Sequence, residues 1–109
     1  MNWIELTDEA QLDAIIEESK QAPVVIFKHS TRCSISSMAK NRLDKADNPD
    51  NMKFYYLDLI TYRPISNKIA EVFQEHHESP QVLLIRNGEC VYEESHNGIN
   101  IDDIVEAAA

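Results

Sequence analysis

One cysteine lies where a nucleophilic sulfur is most easily positioned, between a strand pattern and a helix pattern. The apolar run Val24-Val25-Ile26-Phe27 precedes Cys33, and a stripe with the 3.6-residue period of a helix follows it, made of Ile35, Met38, Ala39 and Leu43. The first turn of a helix has backbone N–H groups without intrahelical partners and about half a positive charge. This environment stabilises an anionic thiolate, so we predict that Cys33 is reactive.

The charge beside the cysteine supports the same interpretation. An ordinary thiol with a pKa of about 8.5 is only roughly 3% ionised at pH 7, so stabilisation of the anion decides whether a cysteine reacts. Arg32 adds a full positive charge next to Cys33. The alternative is that Cys33 is a small buried apolar residue, as many free cysteines are.

A serine stands where a second cysteine would complete a Cys-x-x-Cys pair. The hydroxyl of Ser36 could donate a hydrogen bond to a thiolate, but it cannot displace a disulfide-bonded partner. The predicted chemistry is therefore one-thiol exchange, in which Cys33 attacks a disulfide, keeps one half, and is released by an outside thiol. Ser36 could equally be a polar first-turn residue that serves the backbone, and the sequence leaves both roles open.

The second cysteine is predicted to lie too far away to resolve that disulfide. An Asn-Gly turn at residues 87–88 is a strong hairpin signal and places Cys90 opposite Ile85. Ile85 is about 17 Å along its strand from Pro80, at roughly 3.3 Å per residue. A disulfide needs Cα atoms within about 7 Å, so Cys90 is out of reach if Pro80 lies near Cys33.

The histidines give weaker signals. His29 could raise the local positive potential or relay a proton, or it could be an ordinary strand-end residue. The adjacent His76 and His77 point in different directions on most backbones, and no cysteine or aspartate lies at ligand spacing, so no metal site is predicted. The role of His96, near the last helix, stays open.

Strand and helix patterns alternate along the whole chain. Strands are predicted at residues 3–6, 24–29, 54–58, 81–86 and 89–94. Helices are predicted after Cys33 and Thr61, and Thr7 and Asn100 are predicted to cap the first and last helices. This order predicts an α/β fold in which early strands pair in parallel, a closing hairpin is antiparallel, and helices cover both faces. A central mixed sheet with Cys33 at the carboxyl end of an inner strand is the thioredoxin-like arrangement, predicted here as a single domain over residues 1–109.

Composition narrows the classes of function and compartment. The 109 residues carry a net charge of −9, which argues against nucleic acid and anionic membrane surfaces as partners. The chain has neither a signal-peptide pattern nor an apolar run long enough to span a membrane. Two cysteines without a disulfide framework favour a reducing compartment, and we expect a cytoplasmic protein.

Several separated motifs resemble the monothiol bacilliredoxins, the YtxJ-like branch of the thioredoxin-fold proteins. The resemblance covers nearly the whole length, and many motifs in one order are more specific than a lone Cys-x-x-Ser. The motifs are Lys28-His29-Ser30, Cys33-x-Ile35-Ser36, His77-Glu78-Ser79-Pro80-Gln81, Asn87-Gly88-Glu89 and Ser95-His96-x-x-Ile99-Asn100.

The resemblance implies a specific reaction. Members reduce mixed disulfides between protein cysteines and bacillithiol, a small cytoplasmic thiol that some bacteria use in place of glutathione. By this resemblance Cys33 takes over bacillithiol, and bacillithiol or another thiol reductant regenerates it. The implied partners are bacillithiolated client proteins, and no cofactor is implied beyond the exchanged thiol.

The resemblance also implies which residues surround the nucleophile. A cis Ser79-Pro80 bond would present backbone groups beside Cys33 to a bound thiol compound or peptide. This chain departs from the family where Ser34 replaces a common proline and Arg32 a frequent threonine. The predicted site is Cys33 as nucleophile, with substrate-binding or thiolate-stabilising roles for Arg32, Ser34, Ser36, Ser79, Pro80 and His29.

Two other classes of function remain open at the level of sequence. Monothiol glutaredoxins, which carry thiol-ligated iron–sulfur clusters, share the single cysteine followed by serine at the third position. They have Cys-Gly-Phe-Ser and a Gly-Gly pair, whereas this chain has Cys33-Ser34-Ile35-Ser36 and no Gly-Gly. A non-catalytic thioredoxin-like binding module is the other alternative.

Overall fold

The computed structural model describes residues 1–109 and alternates strands with helices in the predicted order. The strands are β1 (Trp3–Glu5), β2 (Val24–His29), β3 (Lys53–Asp58), β4 (Gln81–Arg86) and β5 (Glu89–Ser95). The α-helices are α1 (Ala10–Glu18), α2 (Ser34–Asp44), α3 (Arg63–Phe73) and α4 (Ile101–Ala108). A short 3₁₀ turn, His96–Gly98, precedes α4.

The five strands form one mixed sheet with the order β1-β3-β2-β4-β5. β3 pairs in parallel with both β1 and β2. The helices α1 and α2 make this possible, because each returns the chain to the end of the sheet where the previous strand began. β4 runs antiparallel to β2 and to β5. β2 is therefore the central strand, and all six of its residues are buried. This explains why its sequence is almost continuously hydrophobic.

Helices cover both faces of the sheet and divide the interior into two cores. The side chains of α1 and α3 fill one core against alternate residues of β2, including Val24 and Ile26. The side chains of α2 and α4 fill the other core against Val25 and Phe27. The predicted mixed sheet with helices on both faces is thus present.

The closing hairpin follows the sequence prediction. Asn87 and Gly88 both have positive φ, 53° and 76°, as a two-residue type I′ turn requires. The turn pairs Ile85 with Cys90, as predicted, and one irregularity between Leu84 and Ile85 shifts the register beyond it. Cys90 is therefore fixed at the turn end of the hairpin.

One local prediction was wrong, and one helix shows a feature that its sequence pattern does not specify. Thr7 does not cap α1; the side chain of Gln11 instead accepts hydrogen bonds from the N–H groups of Thr7 and Asp8, and the helix begins three residues later at Ala10. The apolar stripe of α2 is only half buried. Ala39 and Leu43 enter the core, whereas Ile35 and Met38 are 40% and 57% exposed near Cys33.

Candidate active site

Cys33 lies at the start of α2, a short turn after the end of the central strand β2. After His29 the chain makes a short turn in which the Cys33 N–H donates to the Ser30 carbonyl at 3.2 Å. Cys33 is the N-cap residue of α2, with extended φ and ψ of −112° and 124°, and its carbonyl accepts the N–H of Ser37 at 3.0 Å. The thiol is free and partly exposed, so a disulfide in solvent can reach it.

The first turn of α2 leaves hydrogen-bond donors unused beside the sulfur. The backbone N–H groups of Ser34, Ile35 and Ser36 have no partner within the chain, and no side chain caps the helix. Such groups, together with the helix dipole, stabilise an anion at the N-cap. Arg32 is exposed and forms no ion pair, so its charge is available to the same region. Ser34 is also exposed at the first helical position.

Ser36 is turned into the protein and away from the sulfur. Its side chain is fully buried, its oxygen accepts the N–H of Ser30 at 2.9 Å, and it lies 2.7 Å from His29 Nδ1. No hydrogen bond joins Ser36 to Cys33. Of the two roles that the sequence left open, the structure supports the local one, in which Ser36 holds the turn that precedes Cys33.

His29 is a packed residue beneath that turn. Its ring packs against the rings of Phe27 and Tyr56, with centroids 5.8 and 5.7 Å away. Burial lowers the pKa of His29, and the nearby Lys40 cation lowers it further, against the opposing influence of two aspartates. The neutral ring bonded to Ser36 therefore acts as a support, and the structure places it below the loop rather than on its surface.

The Ser79–Pro80 segment lies at the same end of the sheet. Lys28 pairs with Gln81 across β2 and β4, and one further step along this antiparallel register sets Pro80 beside His29. The Ser79–Pro80 peptide bond is cis, and the Pro80 carbonyl accepts the N–H of His96 at 3.0 Å.

Ser79 has unused hydrogen-bonding groups on both its backbone and its side chain. Neither its backbone N–H nor its carbonyl has a partner within the chain, and its buried hydroxyl also has none. These backbone groups are free to pair with the main chain of a bound peptide, as an edge strand does. The predicted cis geometry is present, while the binding role of Ser79 and Pro80 stays a prediction.

Cys90 lies at the other end of the sheet. It is paired with Ile85, which in turn pairs with Val24 at the start of β2, whereas Cys33 follows the end of that strand. The length of β2 separates them by about 17 Å, well beyond the reach of a disulfide. Both thiols are free, so the predicted monothiol arrangement agrees with the geometry.

One sizeable surface cavity lies away from this site. It has a volume of about 540 Å³ and is lined by residues that include Pro23, Asn48, Met52 and Lys53. Pro23 and Lys53 lie at the amino ends of β2 and β3, away from Cys33. The chemistry is therefore located by the thiol and its backbone, and not by cavity size.

Three buried polar residues near the site received no role from the sequence. Lys28, Gln81 and Ser66 are each 0% exposed, and the first two lie side by side on β2 and β4. The signal that could have revealed Lys28 is its position, since a lysine inside an otherwise hydrophobic central strand must find buried partners.

Solved structures define the class to which this fold belongs. A solved structure described as having a thioredoxin fold is 34% identical, covers 98% of this chain and 94% of its own, and superposes with a TM-score of 0.86. Thioredoxin of Fasciola hepatica is 18% identical over 95% of this chain and 94% of its own, with a TM-score of 0.71. Thioredoxin of Schistosoma mansoni is 21% identical, covers the whole of both chains, and has a TM-score of 0.69.

The protein therefore has the thioredoxin fold, with one free thiol at the start of α2. A profile of the family described as Monothiol bacilliredoxin BrxC matches residues 4–104. The chain belongs to the monothiol bacilliredoxin family. None of its helices has the length and apolar character that crossing a membrane requires.

Proposed function

We propose that this protein is a cytoplasmic monothiol oxidoreductase that removes bacillithiol from protein mixed disulfides through Cys33. The observation that carries the proposal is the position of Cys33, a free and partly exposed thiol at the N-cap of α2 with no second cysteine within reach. Membership of the bacilliredoxin family supports the choice of bacillithiol as the exchanged thiol. No further cofactor is needed.

The exchange proceeds in two balanced steps. The Cys33 thiolate attacks the bacillithiol sulfur of a mixed disulfide; the sulfur–sulfur bond breaks, and the client cysteine leaves as a thiolate. Cys33 then carries bacillithiol in a new disulfide. A second thiolate, from bacillithiol or another thiol reductant, attacks that bacillithiol sulfur and releases Cys33 as a thiolate.

Each part of the site has a task in this sequence. The unpaired N–H groups of Ser34, Ile35 and Ser36 stabilise negative charge on the Cys33 sulfur both before attack and when it departs. Arg32 attracts anionic groups of the substrate by its charge. The free backbone groups of Ser79 align the main chain of the client beside Cys33.

Intact mass spectrometry after incubation with oxidised bacillithiol tests the proposal. We expect one bacillithiol adduct for each chain, and peptide mapping should place it on Cys33. The Cys90→Ser variant should give the same adduct, and Cys33→Ser should give none. An adduct mapped to Cys90, an internal disulfide between the two cysteines, or an unmodified protein would contradict the proposal.

A further inference from the structure

The most unusual residue outside the reacting groups is a lysine in the middle of the sheet. Lys28 is 0% exposed, although an isolated ammonium group is costly to remove from water. No carboxylate forms a salt bridge with it, in a chain that has 19 acidic residues. A buried cation retained without a counter-charge requires another explanation.

The contacts of Lys28 tie three parts of the chain together. Its Nζ donates to the Ser66 carbonyl in α3 at 3.1 Å and lies 3.3 Å from His77 Nδ1. The Ser66 hydroxyl lies 3.3 Å from the same ring nitrogen. Lys28 therefore joins β2, the first turns of α3 and the segment that leads to Ser79.

A neighbouring side chain holds the same segment. Gln81 lies directly across from Lys28 in the β2–β4 pair, so both side chains extend from the same face of the sheet. Gln81 Nε2 donates to the His76 carbonyl at 3.0 Å, and its Oε1 accepts the Glu78 N–H at 3.4 Å. Two buried side chains thus hold three consecutive residues, His76, His77 and Glu78, immediately before the Ser79–Pro80 bond.

The contact between Lys28 and His77 depends on which of the two groups carries a proton. While Lys28 is protonated, its ammonium group has only donors, so His77 Nδ1 accepts the hydrogen bond and the neutral ring carries its proton on Nε2. Burial lowers the pKa of His77, as do the Lys28 and Arg63 charges, while Glu78 opposes them and His76 adds slightly to the lowering. Burial also lowers the pKa of Lys28 to about 8, with Arg63 contributing.

We propose that Lys28 is a positioning residue for exchange at Cys33: through His77 it holds the 76–80 segment, and so sets where the backbone of Ser79 meets the client protein. This inference rests on the proposed function. Lys28 and His77 lie 49 positions apart, in two different motifs of the sequence, and are in contact in the fold. Lys28 lies near the carboxyl end of β2, where its Nζ contacts Ser66 and His77 and not the Cys33 sulfur.

The test separates positioning from folding and from thiol reactivity. Lys28→Met keeps the length of the side chain without its charge, and it leaves no buried carboxylate unpaired, because Lys28 forms no salt bridge. We expect kcat/KM for a bacillithiolated client to fall about tenfold, mainly through KM, because misplaced binding groups weaken the encounter complex. Alkylation of Cys33 by iodoacetamide, which needs no client contacts, should stay within about twofold of wild type.

A control variant and a second variant of the same contact show whether the effect is specific to the pair of Lys28 and His77. Lys68→Met removes a half-exposed lysine of α3 that lies 3.8 Å from Glu71, and should leave exchange unchanged. His77→Phe removes the acceptor from a partly exposed position and should lower kcat/KM as Lys28→Met does. In Lys28→Met, an NMR titration of the His77 ring should move to higher pH, because the neighbouring positive charge is gone.

The outcomes that overturn the inference are distinct from a failure of the proposed function. Each variant is assayed on one client protein carrying either bacillithiol or 2-mercaptoethanol in a mixed disulfide. If the wild-type protein reduced only the client carrying 2-mercaptoethanol, the bacillithiol assignment would be refuted. The effect of Lys28→Met could still be measured on that substrate. Unchanged kcat/KM in both Lys28→Met and His77→Phe would refute the positioning role. So would a loss matched by an equal loss of Cys33 alkylation, or by unfolding of both variants.

Discussion

The two cysteines of this chain are both free and partly exposed, yet their surroundings differ. Cys33 begins α2 at the carboxyl end of the central strand, with unpaired backbone N–H groups following it. Cys90 lies in the edge strand β5, where its thiol donates to the Tyr92 carbonyl at 3.3 Å. Burial raises the pKa of the Cys90 thiol to about 11, and the nearby Glu75 carboxylate adds to the rise.

The difference lies in how each backbone uses its donors. A strand uses its N–H groups in the ladder, whereas the first turn of a helix leaves them free for an anion. The same residue type is therefore a candidate nucleophile at one end of the sheet and a poorly ionised thiol at the other. Exposure alone does not distinguish them.

The largest expected effect tests this contrast directly. Cys33→Ser should lower disulfide exchange by about a thousandfold or more, because a hydroxyl cannot form the mixed disulfide on which turnover depends. Cys90→Ser should keep most of the activity. Release of bacillithiol from a client protein, followed by mass spectrometry, measures both variants. Comparable losses in the two variants would remove the distinction between the thiols.

A smaller effect concerns the pH dependence of the Cys90 thiol. With a pKa of about 11, Cys90 is almost wholly protonated at neutral pH, so its alkylation rate should rise about tenfold per pH unit and about a hundredfold from pH 7 to pH 9. The rate is measured with iodoacetamide in the Cys33→Ser variant, where Cys90 is the remaining thiol. A rate that levels off below pH 9 would show that Cys90 ionises far more easily than its surroundings imply.

The parts of this comparison that could be predicted from sequence are local. The apolar run before Cys33 and the Asn-Gly turn at 87–88 specify their structures within a few residues. Together with the thioredoxin-like arrangement, which sets Pro80 near Cys33, they placed the two thiols far apart. The resemblance to a known family supplied the rest of the site, including the cis bond before Pro80.

What could not be predicted depends on distant packing. The pattern around Ile35 and Met38 is helical, but only the tertiary structure shows that this side of α2 is exposed. The partner of Lys28 lies 49 positions away. Local spacing also cannot show whether the Ser36 hydroxyl points towards the sulfur or towards His29.

The inward direction of Ser36 leads to the smallest predicted effect, which tests how the Cys33 end of the molecule is supported. Ser36→Ala should lower the free energy of unfolding by about 1–3 kcal/mol, because it leaves the Ser30 N–H and the buried His29 Nδ1 without their partner. Ser37→Ala is the matched control, since that half-buried neighbour on the same turn forms no side-chain hydrogen bond, and it should change stability by less than about 0.5 kcal/mol. Urea unfolding measures both variants. Equal stabilities would mean that the turn before Cys33 is held by its backbone alone, and the contrast between the thiols would then rest on the helix start without help from Ser36.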